Sequence, residues 1–171
     1  MKKSSFLFSL VAILCFTRCK EKIKKEPYQV PDDLAQIIAG DSLKTWKLLK
    51  RYNGKTRMNM GDCFLKYRQT FMNDGNVYDN NIENSDCGKS LKGSWKIIKD
   101  SQNFTYIRIT SNQIPKLLGT TENYKDFRIF HASKDSLHLS FVHTQYGQKR
   151  RISDYLIDQD LQIKGRDFHH K

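Results

Sequence analysis

The side chains able to do chemistry in this chain of 171 residues are few and scattered. Of its five histidines, His138 and His143 lie at odd spacing. On a strand, where successive side chains alternate faces, they point to opposite sides and cannot share a metal. His169 and His170 sit in a polar tail. No third soft ligand lies near Cys63 or Cys87, so the sequence predicts no metal site and no cofactor. Catalytic patterns are missing as well: there is no Gly-x-Ser-x-Gly, no His-Glu-x-x-His and no Gly-rich phosphate loop. Glu83 and Glu122 are the glutamates in the body of the chain, and both fall near turns. The expectation is a protein without catalytic residues, not an enzyme.

The four cysteines separate by position. Met1-Lys2-Lys3 is a basic start, and Phe6 to Phe16 is apolar apart from Ser9. That run is too short to span a bilayer as a helix and reads as an export signal. A buried amphipathic helix would need a polar stripe at helical spacing, which is missing. Cys19 stands where a lipid-modified cysteine would begin the mature chain; ordinary signal-peptidase cleavage is the alternative, because Arg18 is not the small residue expected before it. Cys15, preceded by Ile13-Leu14, is the poorer candidate. The division is thus a signal peptide at 1–18, a Lys-rich tether at 19–30 broken by Pro27, and one domain at 31–171, a size that can bury a core of its own.

Formal net charge is +12. Removing Lys2, Lys3 and Arg18 with the signal leaves 27 basic against 18 acidic residues, or +9. In a cytoplasmic chain this excess would suggest nucleic acid; an exported one is expected to bind none. The charge suits anionic lipid head groups, acidic glycans or an acidic protein partner, with a solvated surface as the plainer reading. Lys149-Arg150-Arg151, close to Tyr146, forms a basic group that reads either as an anion site or as a solvated hairpin end. Cys63 and Cys87 remain after export, where an isolated pair is expected to be a disulfide, contributing roughly 3–3.5 kcal/mol through loop closure. Two buried thiols are the competing reading.

These groups must be positioned by strands. Pro31-Asp32-Asp33 opens a short helix with Leu34, Ile37 and Ile38 on one face, stopped by Gly40. A first strand runs from Trp46 to Tyr52. Cys63, Leu65, Tyr67, Gln69 and Phe71 alternate with Lys66, Arg68 and Thr70, predicting a second strand from Cys63. Asn73-Asp74-Gly75 closes a three-residue hairpin onto Val77-Tyr78. Further strands are expected at Lys92–Lys99, Phe104–Thr110, Tyr124–His131, Leu137–His143 and Arg151–Asp158, with a short ninth at Leu161–Ile163. A three-residue loop at Ser133–Asp135 pairs Ile129 with Leu139 and Phe127 with Phe141, and turns His131 inward beside Leu137. Ser111–Asn123 breaks the rhythm, with Pro115 and Gly119 bracketing Leu117 and Leu118, and reads as a loop or one helical turn.

The fold class is therefore all-β: a small up-and-down antiparallel barrel of eight or nine strands with a short N-terminal helix, closed to remove its edges. Trp46, Tyr67, Trp95, Phe127, Phe141 and His131 face inward in this reading, with Leu117 above them as plug or lid. They either fill the interior or line a small cavity.

Several of these elements together resemble the lipocalin-like lipoproteins of Gram-negative bacteria. They are Cys19, Trp46-Lys47-Leu48, Cys63, Phe71-x-x-Asp74-Gly75, Cys87, Gly93-Ser94-Trp95, Phe127-x-Ile129 and Asp135-Ser136-Leu137-x-Leu139. The resemblance spans about residues 41–158. It implies a calycin-like barrel in the cell envelope, and no functional residue carries over from it. The expectation is an outer-membrane lipoprotein, periplasmic or surface-facing, attached through a lipid on Cys19. It would be monomeric and bind a small, partly apolar ligand in the barrel interior or mouth. The alternative is a protein-binding module, such as an immunity or inhibitor protein whose basic surface covers an acidic partner.

Overall fold

Alternating side chains on successive strands leave one apolar face per strand, and closure is how the molecule buries all of them at once. In a computed structural model, which describes residues 28–166 apart from Ser85 and Tyr146, the nine strands among the described residues form one antiparallel sheet. They are β1 (Leu43–Asn53), β2 (Thr56–Arg57), β3 (Arg68–Met72), β4 (Asn76–Asp79), β5 (Lys92–Lys99), β6 (Thr105–Thr110), β7 (Tyr124–Ala132), β8 (Ser136–Gln145) and β9 (Gln148–Asp158). The order is sequential, and β9 pairs back onto β1, with Trp46 opposite Asp158 and Asn53 opposite Ile152. The result is a closed up-and-down barrel of eight strands, with β2 added beside the end of β1. The export signal, Cys19, the tether up to residue 27, Tyr146 and the tail from Asp167 lie outside the described residues.

One end of the barrel is closed. Helix α1 (Leu34–Ala39) buries Leu34, Ile38 and Ala39 there, over a core that includes Trp46, Phe71, Leu137 and Leu156. The Trp46 indole N–H donates to the Ile38 carbonyl at 2.9 Å, so the one polar atom of this fully buried ring is satisfied. The Trp95 indole N–H makes the equivalent bond to Met72 O at 2.8 Å, its ring edge-on to Phe71. Gly93 has a separate necessity: a Cβ there would lie 2.2 Å from the Thr110 carbonyl oxygen. Only glycine lets β5 and β6 approach so closely at this point. The chain before α1 is held at the same end, where the Tyr28 hydroxyl donates to Ala132 O (3.0 Å) and accepts from Ala132 N–H (2.9 Å).

Three sequence expectations are corrected. The strand expected from Cys63 begins at Arg68. Residues Asp62–Lys66 form one turn of helix, α2, with Asp62 in its first turn and Lys66 in its last. Cys63, Leu65 and Tyr67 fit period two by coincidence, and so short a helix has no length over which the longer period could declare itself. The ninth strand is β2, folded back on β1 across Asn53–Thr56, not Leu161–Ile163. Among the described residues the chain after Asp158 makes no ladder; its carbonyls at Gln159 and Leu161 instead accept from the Lys47 ammonium at 2.7 and 2.5 Å.

The third correction concerns His131. Ile129 faces Leu139 as expected, and the Phe127 and Phe141 rings meet edge-on at 5.1 Å. Past Ile129, however, a bulge at Phe130 shifts the register, so that His131 pairs with His138 and Ala132 with Leu137. An extra residue exchanges the faces of everything beyond it. Ala132 is buried and His131 is exposed on the outer wall, its ring near Tyr28.

Candidate functional site

The end opposite α1 is open. The disulfide Cys63–Cys87 ties α2 to the irregular segment between β4 and β5, with Cα atoms 5.2 Å apart. Across from it, helix α3 (Ile114–Leu118) folds over the end of β6. Its Pro115 sits in the first turn and Gly119 closes it in the left-handed conformation, φ 62°. Ile114 is buried as the anchor, while Leu117 and Leu118 stay part exposed at 39% and 40%. The connection is thus an anchored overhang with two loose apolar tips.

Between these elements lies a cavity of about 380 Å³, within the range of small-molecule sites. Ile109, Ile114, Leu117, Leu118 and Phe127 make one apolar wall, with Phe64 of α2 across from it. The deep end is polar. Inward alternation on β3 and β4 brings Gln69 and Asp79 to it, and Tyr67 joins them from the junction of α2 and β3; Gln69 is the direct cross-strand partner of both Trp46 and Asp79. Arg51 of β1 reaches in beneath Phe64, its guanidinium 4.7 Å from that ring. It is paired through both nitrogens with the Asp154 carboxylate. Lys89 and Lys125 also line the cavity; the Lys125 ammonium donates to the Val142 carbonyl oxygen.

Burial sets the protonation of these groups. Desolvation, reinforced by the Asp79 carboxylate, pushes the Tyr67 hydroxyl far above the usual phenol range, so it stays protonated. Burial also raises Asp79, against hydrogen bonds from Asn81 N–H, Leu91 N–H and the Ser90 side chain that favour its charged form. Burial lowers the Lys125 ammonium. Among the described residues no group of three or more His, Cys, Asp or Glu side chains is placed to hold a metal.

Of the residues singled out from the sequence, Tyr67, Phe127 and Leu117 line the cavity together with both cysteines. Trp46 and Trp95 do not: one lies in the core of the closed end, and the other borders a shallow hollow beside α1. Phe141 backs Phe127 and lines an adjoining groove of about 550 Å³. His131 is on the outer wall. The basic group Lys149-Arg150-Arg151 is exposed at the start of β9. Arg51, Gln69, Asp79, Lys125 and Asp154 were not singled out from the sequence. Asp154 had a visible signal, an acid on the apolar face between Ile152 and Leu156. Arg51 had none, because a register shift between Leu48 and Lys50 is what turns it inward.

A family model described as a lipocalin-like domain matches residues 43–139, more than half of the chain. The chain belongs to the lipocalin-like domain family. Its fold is one generally used for binding rather than catalysis. A lipocalin-like protein from Bacteroides uniformis, known from a crystal structure, is similar at 15% identity over 71% of this chain and 97% of its own, with a TM-score of 0.44. Comparison with curated proteins returns no match.

Proposed function

We propose that this protein binds a small, partly apolar molecule in the open end of its barrel, and does so as a lipid-anchored protein of the cell envelope. The binding reading is carried by one observation: a lipocalin-like barrel holds a 380 Å³ cavity with an apolar wall, a polar deep end and part-exposed leucines at its mouth. The anchor is supported by the sequence, through the basic start, the apolar run and Cys19.

Binding is tested by titrating the purified protein with N-phenyl-1-naphthylamine, a neutral apolar fluorophore. Saturable one-to-one binding, abolished by Phe127→Arg with the circular dichroism spectrum kept, is the expected result. No binding, together with a co-purifying acidic protein in native mass spectra, would favour a protein-binding module instead. For the anchor, Cys19→Ala should move the protein from the membrane fraction to the soluble envelope fraction; unchanged membrane partition would refute it.

A further inference from the structure

Two polar side chains at the deep end of the cavity have no hydrogen-bonding partner among the described residues: the Tyr67 hydroxyl and the Gln69 amide. Gln69 is 8% exposed, and its side chain points inward between Trp46 and Asp79 on the neighbouring strands. Neither neighbour is free to serve it. The Trp46 indole N–H is taken by the Ile38 carbonyl. The Asp79 carboxylate already accepts from Asn81 N–H, Leu91 N–H and Ser90. Tyr67, at the junction of α2 and β3, lines the same cavity, which also holds Arg51, whose guanidinium and the Asp154 carboxylate satisfy each other. Their polar atoms open onto the cavity and are not sealed within the wall, so the two are placed to bond a polar head that enters it.

The charges around them narrow its chemistry. An anionic head beside Gln69 would meet the Asp79 carboxylate, with the Arg51 guanidinium already engaged by Asp154. A cationic head would find Asp79 with both oxygens occupied, and would stand next to the Arg51 guanidinium. A neutral head that both donates and accepts meets neither obstacle. Gln69 offers a carbonyl and an amide, and Tyr67 a hydroxyl that stays protonated.

We propose that Tyr67 and Gln69 are the head-group subsite of the cavity, taking the uncharged hydroxyl or amide of an amphipathic molecule whose apolar body lies along Ile109, Leu117 and Phe127. This rests on the ligand-binding reading above and adds the class of ligand.

The test is displacement of N-phenyl-1-naphthylamine by octan-1-ol, octanoate, octylammonium and 1-chlorooctane, which share a chain and differ in the head. Octan-1-ol should displace best. Tyr67→Phe and Gln69→Leu should each weaken it about 3- to 10-fold, the loss of one hydrogen bond. The affinities of 1-chlorooctane and of the fluorophore should stay within about twofold. Both variants should melt no lower than the parent protein, because each removes a polar group with no partner. Unchanged octan-1-ol binding in both variants, or tighter binding of octanoate or octylammonium, would overturn the subsite while leaving the cavity a binding site. A sharp loss of stability in both variants would overturn it too, by showing that these groups are already bonded within the protein. If the fluorophore does not bind the parent protein at all, the ligand-binding reading and the subsite fail together.

Discussion

The Arg51 guanidinium and the Asp154 carboxylate meet inside the barrel through two parallel hydrogen bonds, Nε to Oδ1 and Nη2 to Oδ2, each 2.6 Å. The pair joins β1 to β9 at the seam where the barrel closes, directly across the ladder. Its side chains keep 21% and 10% of their exposure. Removing one partner strands the other charge in a poorly hydrated place, which costs about 3–5 kcal/mol in buried pairs. Arg51→Met or Asp154→Leu alone should therefore lower the urea midpoint strongly. The double variant should recover much of the loss. A double variant as unstable as the sum of the singles would show that the two groups do not act on each other.

The disulfide should matter to stability through the chain it closes. Cys63 and Cys87 are 24 positions apart, for which loop closure contributes about 2–4 kcal/mol. Cys63→Ser should cost that much, and adding Cys87→Ser should cost little more, since one bond is lost either way. Equilibrium unfolding with and without reductant checks this: reductant should shift the parent protein to the level of the variants and leave the variants unmoved.

The two tryptophans should report different environments. Trp46 is wholly buried and Trp95 only half so. Trp46→Ala should cost about 3–5 kcal/mol, and Trp95→Ala less. In the Trp95→Phe protein the remaining emission should be blue-shifted and untouched by iodide. In the Trp46→Phe protein it should be partly quenched. Equal quenching of the two would contradict the packing of α1 over Trp46.

Acid should weaken the outer wall at His138. Its ring stacks on Tyr155 at 3.9 Å with Phe130 at 5.3 Å, and its Nε2 is buried with no partner among the described residues. Burial, helped by His131 and Lys50 and opposed by Asp154, lowers its pKa from the ordinary 6.5. A depressed histidine gives stability that is complete above the unfolded value and is lost as pH falls through the folded one. The melting temperature should therefore drop between about pH 7 and pH 5, and His138→Phe should flatten that limb. An identical limb in the variant would remove His138 as its source.

The strand pattern was legible wherever alternation ran unbroken. Gly93, Trp95 and Ile97 defined β5 to the residue, and Asn73-Asp74-Gly75 and Ser133–Asp135 set their hairpins. The site was less so, because its composition depends on two irregularities that leave no mark in residue type. The bulge at Phe130 takes His131 out of the interior, and the shift at Leu49 brings Arg51 in. Gln69 was on the inward face from the outset; what the sequence did not reveal is that its neighbours are already engaged.

The docking of Tyr28 gives the barrel a heading. Its hydroxyl is fixed to Ala132 at the end capped by α1, and the cavity opens at the other. A chain held to a surface by its N-terminal side would therefore turn its back to that surface and its opening to the solution. Cargo would then be exchanged with the aqueous side and not drawn sideways out of the lipid beneath, so solubility in water would limit what such a protein can carry.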